Sequence, residues 1–315
     1  MLSRVADNLY WFSRYVRRVE NTARLLGACG QLRLDLPRQV SFDLMPVIAT
    51  VGAEAEFAAL HPEIIGAAHQ ARVMEFLTLS LDNPSSLRSS LHNARNILRA
   101  VRDVLPQEIW DTVNDMHVLV EEKGGNLLSR GREGDLYAPL VDGCLKLSGL
   151  LNANVSRDIG FQFLRLGAAL EQADMTSRII DAGASGLIRS HAGEDGLEPA
   201  YRSLQWAAVL RALAGMQMFR RHVRRPLSAE SALGFLLQDN EFPRSVYYCL
   251  TRLLTVLPKL PYSPAVERQS HRVVGLVRNA DPVWQAANNP ALLMDEIQLH
   301  VAELDQAIAQ GYFRR

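Results

Sequence analysis

The chain has 315 residues, enough for one large domain or for two of ordinary size. It carries 34 basic and 34 acidic side chains, so its overall charge gives no reason to expect binding to nucleic acid or to an anionic membrane. No apolar run is long enough to cross a membrane, and Cys29, Cys144 and Cys249 stand alone as buried thiols commonly do. We therefore expect a cytoplasmic protein, with a catalytic cysteine as the less favoured interpretation of these thiols.

The first predicted element is a long helix over residues 3–30. Apolar residues recur from Val5 to Leu26 at alternating intervals of four and three, which places them on one side of a helix. A polar row runs beside them and contains Arg17, Glu20 and Arg24. Glu20 precedes Arg24 by four residues, the favoured order for a helical ion pair. The glycine at position 27 or the one at position 30 is expected to end the helix.

Helical patterns follow one another along the rest of the chain, and strand signals are nearly absent. Asn83 is expected to cap a helix whose first residue is Pro84, and another helix is expected to end before Gly124. After the first helix, the predicted helices cover residues 42–51, 61–81, 84–104, 106–123, 136–154, 159–180, 198–222, 228–238, 242–256, 264–277 and 290–310.

The pattern of the first helix returns in the second half of the chain. Asp174 and Arg178 stand 154 residues after Glu20 and Arg24, beside a second apolar seam with the same spacing. The segment 76–87 also matches the segment 235–246, at an offset of 159 residues. Two landmarks in the same order predict a tandem duplication, with repeats over 1–150 and 151–315. The predicted fold is all-α, a single large helical bundle built from these two repeats.

These landmarks carry a resemblance to a known family. The sequences MLSRVADNLYWFSRYVRRVENTARLL and LGAALEQADMTSRIID resemble the Alpha-E domain family, an all-helical bacterial family named for a Glu-Arg motif and typically a tandem duplication. The resemblance covers essentially the whole chain and includes FPRSV at 242–246.

Members of this family tend to be encoded beside circularly permuted ATP-grasp ligases and transglutaminase-like proteins. The resemblance therefore implies an accessory or binding role in a bacterial peptide or amide synthesis or modification system. It implies those two proteins as partners, and an acidic peptide is a further candidate ligand. A homo-oligomer stays open. The sequence contains no recognisable catalytic, metal-binding or nucleotide-binding motif, so no cofactor is expected and an enzyme is the less favoured interpretation.

This chain departs from the family pattern, which is close to ERAExxxR in the first copy and ERADxxxR in the second. The first copy here reads Arg17-Arg18-Val19-Glu20 and lacks the Glu of the motif. The second reads Glu171-Gln172-Ala173-Asp174 and lacks the Arg. One hypothesis is that Arg17 and Glu171 meet across the pseudo-two-fold axis, each supplying the charge that the other copy lacks.

The duplicated acid-arginine pairs have two interpretations. They could lock two long helices in register through partly buried ion pairs, as in a purely structural interaction protein. Alternatively, Glu20, Asp174, Arg24 and Arg178 could surround a central pocket, where the carboxylates act as acids or bases and the arginines bind anions. This second interpretation would make the chain an enzyme in its own right.

A basic row marks one face of the helix predicted over 84–104. Its members are spaced by four, three, four and three residues, and it could bind an anion or an acidic partner, or form a solvated face. The corresponding helix of the second half carries Tyr247, Thr251 and Leu254 at the first three positions, so the row is specific to the first half. The row consists of Arg88, His92, Arg95, Arg99 and Arg102.

Overall fold

Two long helices lie side by side at the centre of the protein. The computed structural model describes residues 3–37, 40–61, 67–189 and 199–313. Helix α1 (Ser3–Asp35) and helix α8 (Ile159–Ala184) pack along each other. Both are buried over much of their circumference because other helices surround them. The apolar seam predicted for α1 is confirmed, and its residues from Leu9 to Leu26 belong to the core.

The remaining elements are almost all helical, which confirms the all-α class. None of the helices in the described ranges is long and apolar enough to cross a membrane. A two-residue antiparallel ladder joins β1 (Ser41–Phe42) to β2 (Ile188–Arg189), with Phe42 opposite Ile188. The other helices are α2 (Met45–Ala49), α3 (Glu54–Leu60), α4 (Ala67–Thr78), α5 (Leu87–Ala100), α6 (Gln107–Ser129), α7 (Gly134–Asn154), α9 (Pro199–Ala212), α10 (Met216–His222), α11 (Ala229–Gln238), α12 (Val246–Val256), α13 (Pro264–Asn279), α14 (Pro282–Ala287) and α15 (Pro290–Ile308), with a 3₁₀ turn at Leu257–Lys259 and a π-helical turn at Ala309–Phe313.

The two central helices have matching neighbours. Helices α5 and α7 pack against α1, and α6 packs against both of them. Helices α12 and α15 pack against α8, and α13 packs against both of those. Helix α2 of the first half contacts α8, while α9 of the second half contacts α1, and one apolar core runs through both halves. The tandem duplication stays a prediction, and this matching arrangement agrees with it.

Several helix ends differ from the sequence prediction because the helices continue through glycines that were expected to end them. Helix α1 continues through Gly27 and Gly30 to Asp35. Helix α6 continues through Gly124 to Ser129. A Cβ atom at Gly124 would lie 2.8 Å from Leu79 Cδ2, so the glycine makes room for that side chain.

Helix starts differ where two residues compete as caps. Ser86, and not Asn83, caps α5, since its Oγ accepts a hydrogen bond from the Ser89 amide at 3.0 Å. The Asn83 side chain instead donates to the Phe76 carbonyl oxygen and accepts from the Ser85 amide.

Other elements also depart from the prediction. The predicted helix over 198–222 is divided into α9 and α10 near Ala214, whose φ of 51° is left-handed. Helix α14 was not predicted, and the helix expected from residue 42 begins only at Met45. Residues 62–66 of the helix predicted over 61–81 lie outside the described residues.

Helices α1 and α8 approach each other closely at Gly167. A Cβ atom there would lie 2.3 Å from the Tyr10 carbonyl oxygen and 2.5 Å from Ser13 Oγ. The Ser13 hydroxyl in turn donates to the Tyr10 carbonyl oxygen at 2.9 Å. The crossing therefore requires a residue without a side chain at position 167.

We expect Gly167→Ala to destabilise the protein by about 1–3 kcal/mol, because the added methyl group must push α8 away from the α1 backbone. The matched control is Gly149→Ala on the exposed face of α7, where no atom lies within 4 Å of the added Cβ. That change should stabilise the protein by roughly 0.5–1 kcal/mol through helix propensity. Urea unfolding monitored by circular dichroism measures both, and an equal effect of the two substitutions would contradict the close approach at Gly167.

Candidate functional site

A fully buried carboxylate joins the two central helices. Glu171 of α8 accepts hydrogen bonds from Arg14 Nε and Arg18 Nε of α1, each at 2.7 Å. Arg14 also reaches α15, where its Nη1 lies 2.6 Å from Asp305 Oδ1. The Tyr10 hydroxyl donates to the same carboxylate oxygen of Asp305 at 2.5 Å. This cluster ties α1, α8 and α15 together.

The hypothesis that Arg17 meets Glu171 is wrong. Arg17 Nη1 lies 2.7 Å from Glu20 Oε2, within its own helix. The face of α1 that meets α8 includes Arg14 and Arg18, which are one helical turn apart, and Arg17 projects from a different side. The Arg that the first copy retains thus pairs with the Glu that the second copy retains.

Glu20 is the centre of a second buried cluster. Its carboxylate is fully buried and is bound by Arg17, by Arg24 Nε at 3.1 Å and by Arg244 from the turn before α12. Burial alone would raise the pKa of Glu20, but Arg244 and Arg17 hold it below its ordinary value. Three guanidinium groups therefore share one carboxylate.

Glu171 is also held in its ionised form. Burial would raise its pKa, yet the guanidinium groups of Arg18 and Arg14 lower it to about 2. A carboxyl group with so low a pKa holds no proton near neutral pH and is unsuited to act as a general acid there. The contacts of Glu171 with Arg14 and Arg18 fit a structural role in holding the helices together better than a role in acid-base catalysis.

The two predicted helical pairs are both formed. Arg178 Nε lies 3.0 Å from Asp174 Oδ1, matching the contact between Arg24 and Glu20. Burial raises the pKa of Asp174, Arg178 lowers it in part, and nearby Glu171 raises it again.

One difference between the surroundings of the two pairs lies in the turn before α12. Arg244, which binds Glu20, corresponds to Ser85 at the offset of 159 residues. Ser85 accepts a hydrogen bond from Arg18 Nη1 at 3.4 Å. The first pair therefore has an additional arginine at the position where the second has a serine.

A pair of side-chain amides lies between the two carboxylate clusters. Asn21 Nδ2 donates to Gln172 Oε1 at 3.3 Å, and Gln172 Nε2 donates to Asn21 Oδ1 at 3.1 Å. Arg244 Nη1 lies 3.2 Å from Gln172 Oε1. Gln172 stands where the family pattern has Arg, and here its neutral amide forms part of the contact between α1 and α8.

Sequence reasoning missed Arg14, Asn21, Arg244 and Asp305. Arg14 carried a usable signal, since it precedes Arg18 by four residues and must lie on the same face of α1. Arg244 belongs to the FPRSV landmark and could have been noticed there. Asn21 and Asp305 gave no signal that distinguishes them from surface residues.

A cavity of about 400 Å³ lies beside the Glu20 cluster. Of the six motif residues predicted from the sequence, Arg17 alone lines it. Glu20 and Arg24 bind each other, as do Asp174 and Arg178, and none of these four faces that cavity. This weakens the interpretation of the chain as an enzyme built on those four residues.

Burial disfavours the reactive thiolate form of the cysteines. Cys29 and Cys249 are buried, and burial raises the pKa of each thiol to about 12, which disfavours the nucleophilic thiolate. Cys144 is buried as well. In the parts of the chain that the structure describes, no group of three or more His, Cys, Asp or Glu side chains is placed to hold a metal ion.

The basic row of α5 forms one side of an interhelical ladder with α6. Arg88 makes a two-point ion pair with Glu121, with Nε–Oε1 and Nη2–Oε2 distances of 2.7 and 2.5 Å. Arg95 Nε donates to Asn114 Oδ1 at 2.9 Å, and its guanidinium lies 5.3 Å from the centre of the Trp110 ring. These two arginines are therefore engaged in holding the antiparallel helices in register.

The other members of the row are more exposed. The His92 ring lies 6.1 Å from the His117 ring, and burial lowers the pKa of His117. Arg99 is exposed, and Arg102 is 3.7 Å from Asp103 in an exposed pair. Arg99 and Arg102, at the end of the row, are accessible to another molecule.

We expect Glu171→Gln to destabilise the protein by about 3–5 kcal/mol at pH 7, because two largely buried arginines lose their carboxylate. The folded-state pKa of Glu171 is about 2, below its ordinary value of 4.5. Its contribution is therefore present above pH 4.5 and is lost as the pH falls towards 2. Urea unfolding of wild type and variant at pH 7 and pH 3 measures the difference, which should shrink at the lower pH.

Glu75→Gln is the control for this measurement, since Glu75 pairs with Arg72 on an exposed helix face at 2.7 Å. Removal of that pair should change stability by less than about 1 kcal/mol. A loss in Glu171→Gln no larger than in Glu75→Gln would show that the buried cluster does not stabilise the fold.

Three longer mycobacterial proteins are similar to this chain. They are an uncharacterized protein of Mycobacterium bovis and two uncharacterized proteins of Mycobacterium tuberculosis, each 25% identical over 293 residues. The aligned region covers 86% of this chain but 31% of each relative, so the chain spans less than a third of their length. No solved structure matches the chain with significance.

A family comparison agrees with the resemblance seen in the sequence. The Alpha-E family, described as a predicted alpha-helical domain with a conserved ER motif, matches residues 1–313. In this chain the Arg of that motif in the first copy and the Glu in the second meet as the pair Arg18–Glu171. Because the match extends over nearly the whole sequence, the chain belongs to the Alpha-E family.

Proposed function

We propose that this chain is an accessory or binding component of a bacterial peptide or amide synthesis or modification system. In this proposal it acts with an ATP-grasp ligase and a transglutaminase-like protein, the partners that the family resemblance implies. Glu20 and Glu171 each form ion pairs with two or more arginines. This pairing supports a scaffold rather than a catalyst at the contact between the central helices.

The observation that carries the proposal is the size of the mycobacterial relatives. The region aligned with this chain occupies under a third of each relative, so in those proteins it is covalently joined to a longer sequence. A covalent link keeps two regions at high effective concentration and is useful when both act on the same substrate. We infer that the present chain also works beside another protein region.

The accessible end of the basic row is the surface that we assign to this partner. Arg88 and Arg95 contact α6, whereas Arg99 is exposed in the last turn of α5 and Arg102 is exposed in the turn that follows it. Two exposed arginines favour an acidic partner surface and speed its association through electrostatic attraction. An acidic peptide would be recognised by the same chemistry.

Where an ATP-grasp ligase and a transglutaminase-like protein are encoded beside this chain, as the family resemblance implies, we predict that one or both co-purify with the tagged chain when all three are co-expressed. Arg99→Ala combined with Arg102→Ala should reduce the recovered partner about tenfold, because the attraction at that surface is lost. The matched control is Arg220→Ala with Arg221→Ala on α10, which removes the same charge from exposed positions elsewhere. Quantitative mass spectrometry of the eluate measures the partner.

Failure of both neighbours to co-purify with the wild-type chain would contradict the proposed function. Full recovery of the partner with the Arg99/Arg102 variant would instead show that the end of the basic row is a solvated face and that the partner binds elsewhere. Mass spectrometry of peptides from the same co-expression should also detect a modified product that depends on this chain.

A further inference from the structure

The cavity beside the Glu20 cluster has an unusual lining. It lies between α1, α7, α8 and α12 and has a volume of about 400 Å³. Four guanidinium groups line it, whereas none of its described lining residues is acidic. The four are Arg17, Arg165, Arg244 and Arg252.

Two of these arginines share one carboxylate, which a third arginine also binds. Arg17 and Arg244 both bind Glu20, which also binds Arg24. Burial lowers the pKa of the Arg244 guanidinium, Glu20 raises it in part, and the neighbouring Arg17 lowers it again. One buried carboxylate thus balances three cations, so positive charge remains in excess at this wall of the cavity.

The other two arginines face neutral partners. Arg165 donates to Gln162 Oε1 at 3.2 Å and to Thr255 Oγ1 at 3.4 Å. Arg252 lies with its guanidinium carbon 5.8 Å from the centre of the Tyr248 ring. Burial lowers the pKa of Arg165, and the nearby Arg252 lowers it further. Within the described ranges, neither arginine has a carboxylate partner, so both keep donors for an added anion.

The space in the cavity comes from small side chains on α8. Ala168 and Ala169 line the cavity, while the positions 154 residues earlier on α1 hold Arg14 and Tyr15. The long Arg14 side chain extends to Glu171 and Asp305 and forms ion pairs with both. The corresponding faces of α1 and α8 are therefore not equivalent, and the cationic cavity lies beside the face of α8 that carries the two alanines.

The rest of the lining is apolar or neutral and polar. Phe161, Leu151 and Val256 supply apolar walls, and Ser148 and Asn152 supply hydroxyl and amide groups. The volume falls within the range of pockets that take small molecules, which are commonly apolar with a few placed polar groups. This combination suits a ligand that has an anionic head and an apolar body.

We propose that this cavity binds a small molecule whose carboxylate or phosphate group is held by Arg165, Arg244 and Arg252 and whose apolar body packs against Phe161. A planar guanidinium group can bind either oxyanion through two parallel hydrogen bonds. The site is separate from the end of the basic row, and its occupation does not depend on the proposed protein partner.

The test is isothermal titration calorimetry of the full chain with four probes: inorganic phosphate, phenyl phosphate, phenylacetate and benzyl alcohol. We expect phenyl phosphate or phenylacetate to bind at least tenfold more tightly than both inorganic phosphate and benzyl alcohol, because only those two combine the charge with the apolar body. The order of phenyl phosphate and phenylacetate identifies the headgroup that the site prefers.

Two variants distinguish the contribution of the arginine charges from that of the cavity volume. Arg165→Gln with Arg252→Gln should weaken binding of the tighter probe at least tenfold, and no carboxylate pair among the described residues is broken by this change. Ala169→Leu fills part of the cavity. It should weaken the binding of the two aromatic anions, while the affinity for inorganic phosphate should change by no more than about twofold. The control Arg220→Gln with Arg221→Gln should leave all four affinities unchanged.

Circular dichroism and thermal unfolding of each variant confirm that it is folded before the titration. Absence of binding by both aromatic anions at millimolar concentration would overturn the proposal. Equal affinity for wild type and the Arg165/Arg252 variant would also overturn it, since the cavity arginines would then not hold the anion.

Discussion

The burial of one carboxylate, Glu171, constrains how the two central helices meet. An ionised group removed from water is tolerated only when it is paired and hydrogen-bonded, and Arg14 and Arg18 meet this requirement from one face of α1. Because both arginines must reach the same carboxylate, α1 has one register against α8. Gly167 allows the two backbones to approach closely enough for these contacts to form. The apolar core closes around this contact, with the helices of each half packed on their own central helix.

The same motif has different consequences on the two sides of the bundle. The Glu171 cluster is balanced, since Arg14 and Arg18 face Glu171 and Asp305. The Glu20 cluster is unbalanced, because its single carboxylate meets three arginines and adjoins a cavity lined by two more. The Glu171 cluster therefore fixes the position of α1 against α8, and the Glu20 cluster provides a cationic surface. A protein that holds an anionic molecule for a partner requires both a rigid frame and such a surface, which connects the proposed function with the proposed ligand.

The features that depend on local geometry could be predicted from the sequence. The apolar seam and the ion pairs between residues four apart follow from the helical repeat alone. The partner of Glu171 could not be predicted, because the choice between Arg17 and Arg18 depends on the orientation of helices about 150 residues apart. The cap of α5 was misplaced because Asn83 and Ser86 are both good capping residues, and tertiary contacts decide between them. The cavity gave no sequence signal, since it arises where small side chains of packed helices leave space.

A double-mutant cycle tests whether Arg18 and Glu171 interact directly across α1 and α8. The stabilities of wild type, Arg18→Met, Glu171→Gln and the double variant would be measured by urea unfolding. We expect a coupling energy of about 1.5–3 kcal/mol for this pair. The parallel cycle with Arg17→Met should be additive within about 0.5 kcal/mol. Additive effects of the Arg18 and Glu171 substitutions, or strong coupling between Arg17 and Glu171, would show that Arg18 does not bind Glu171 across the two helices.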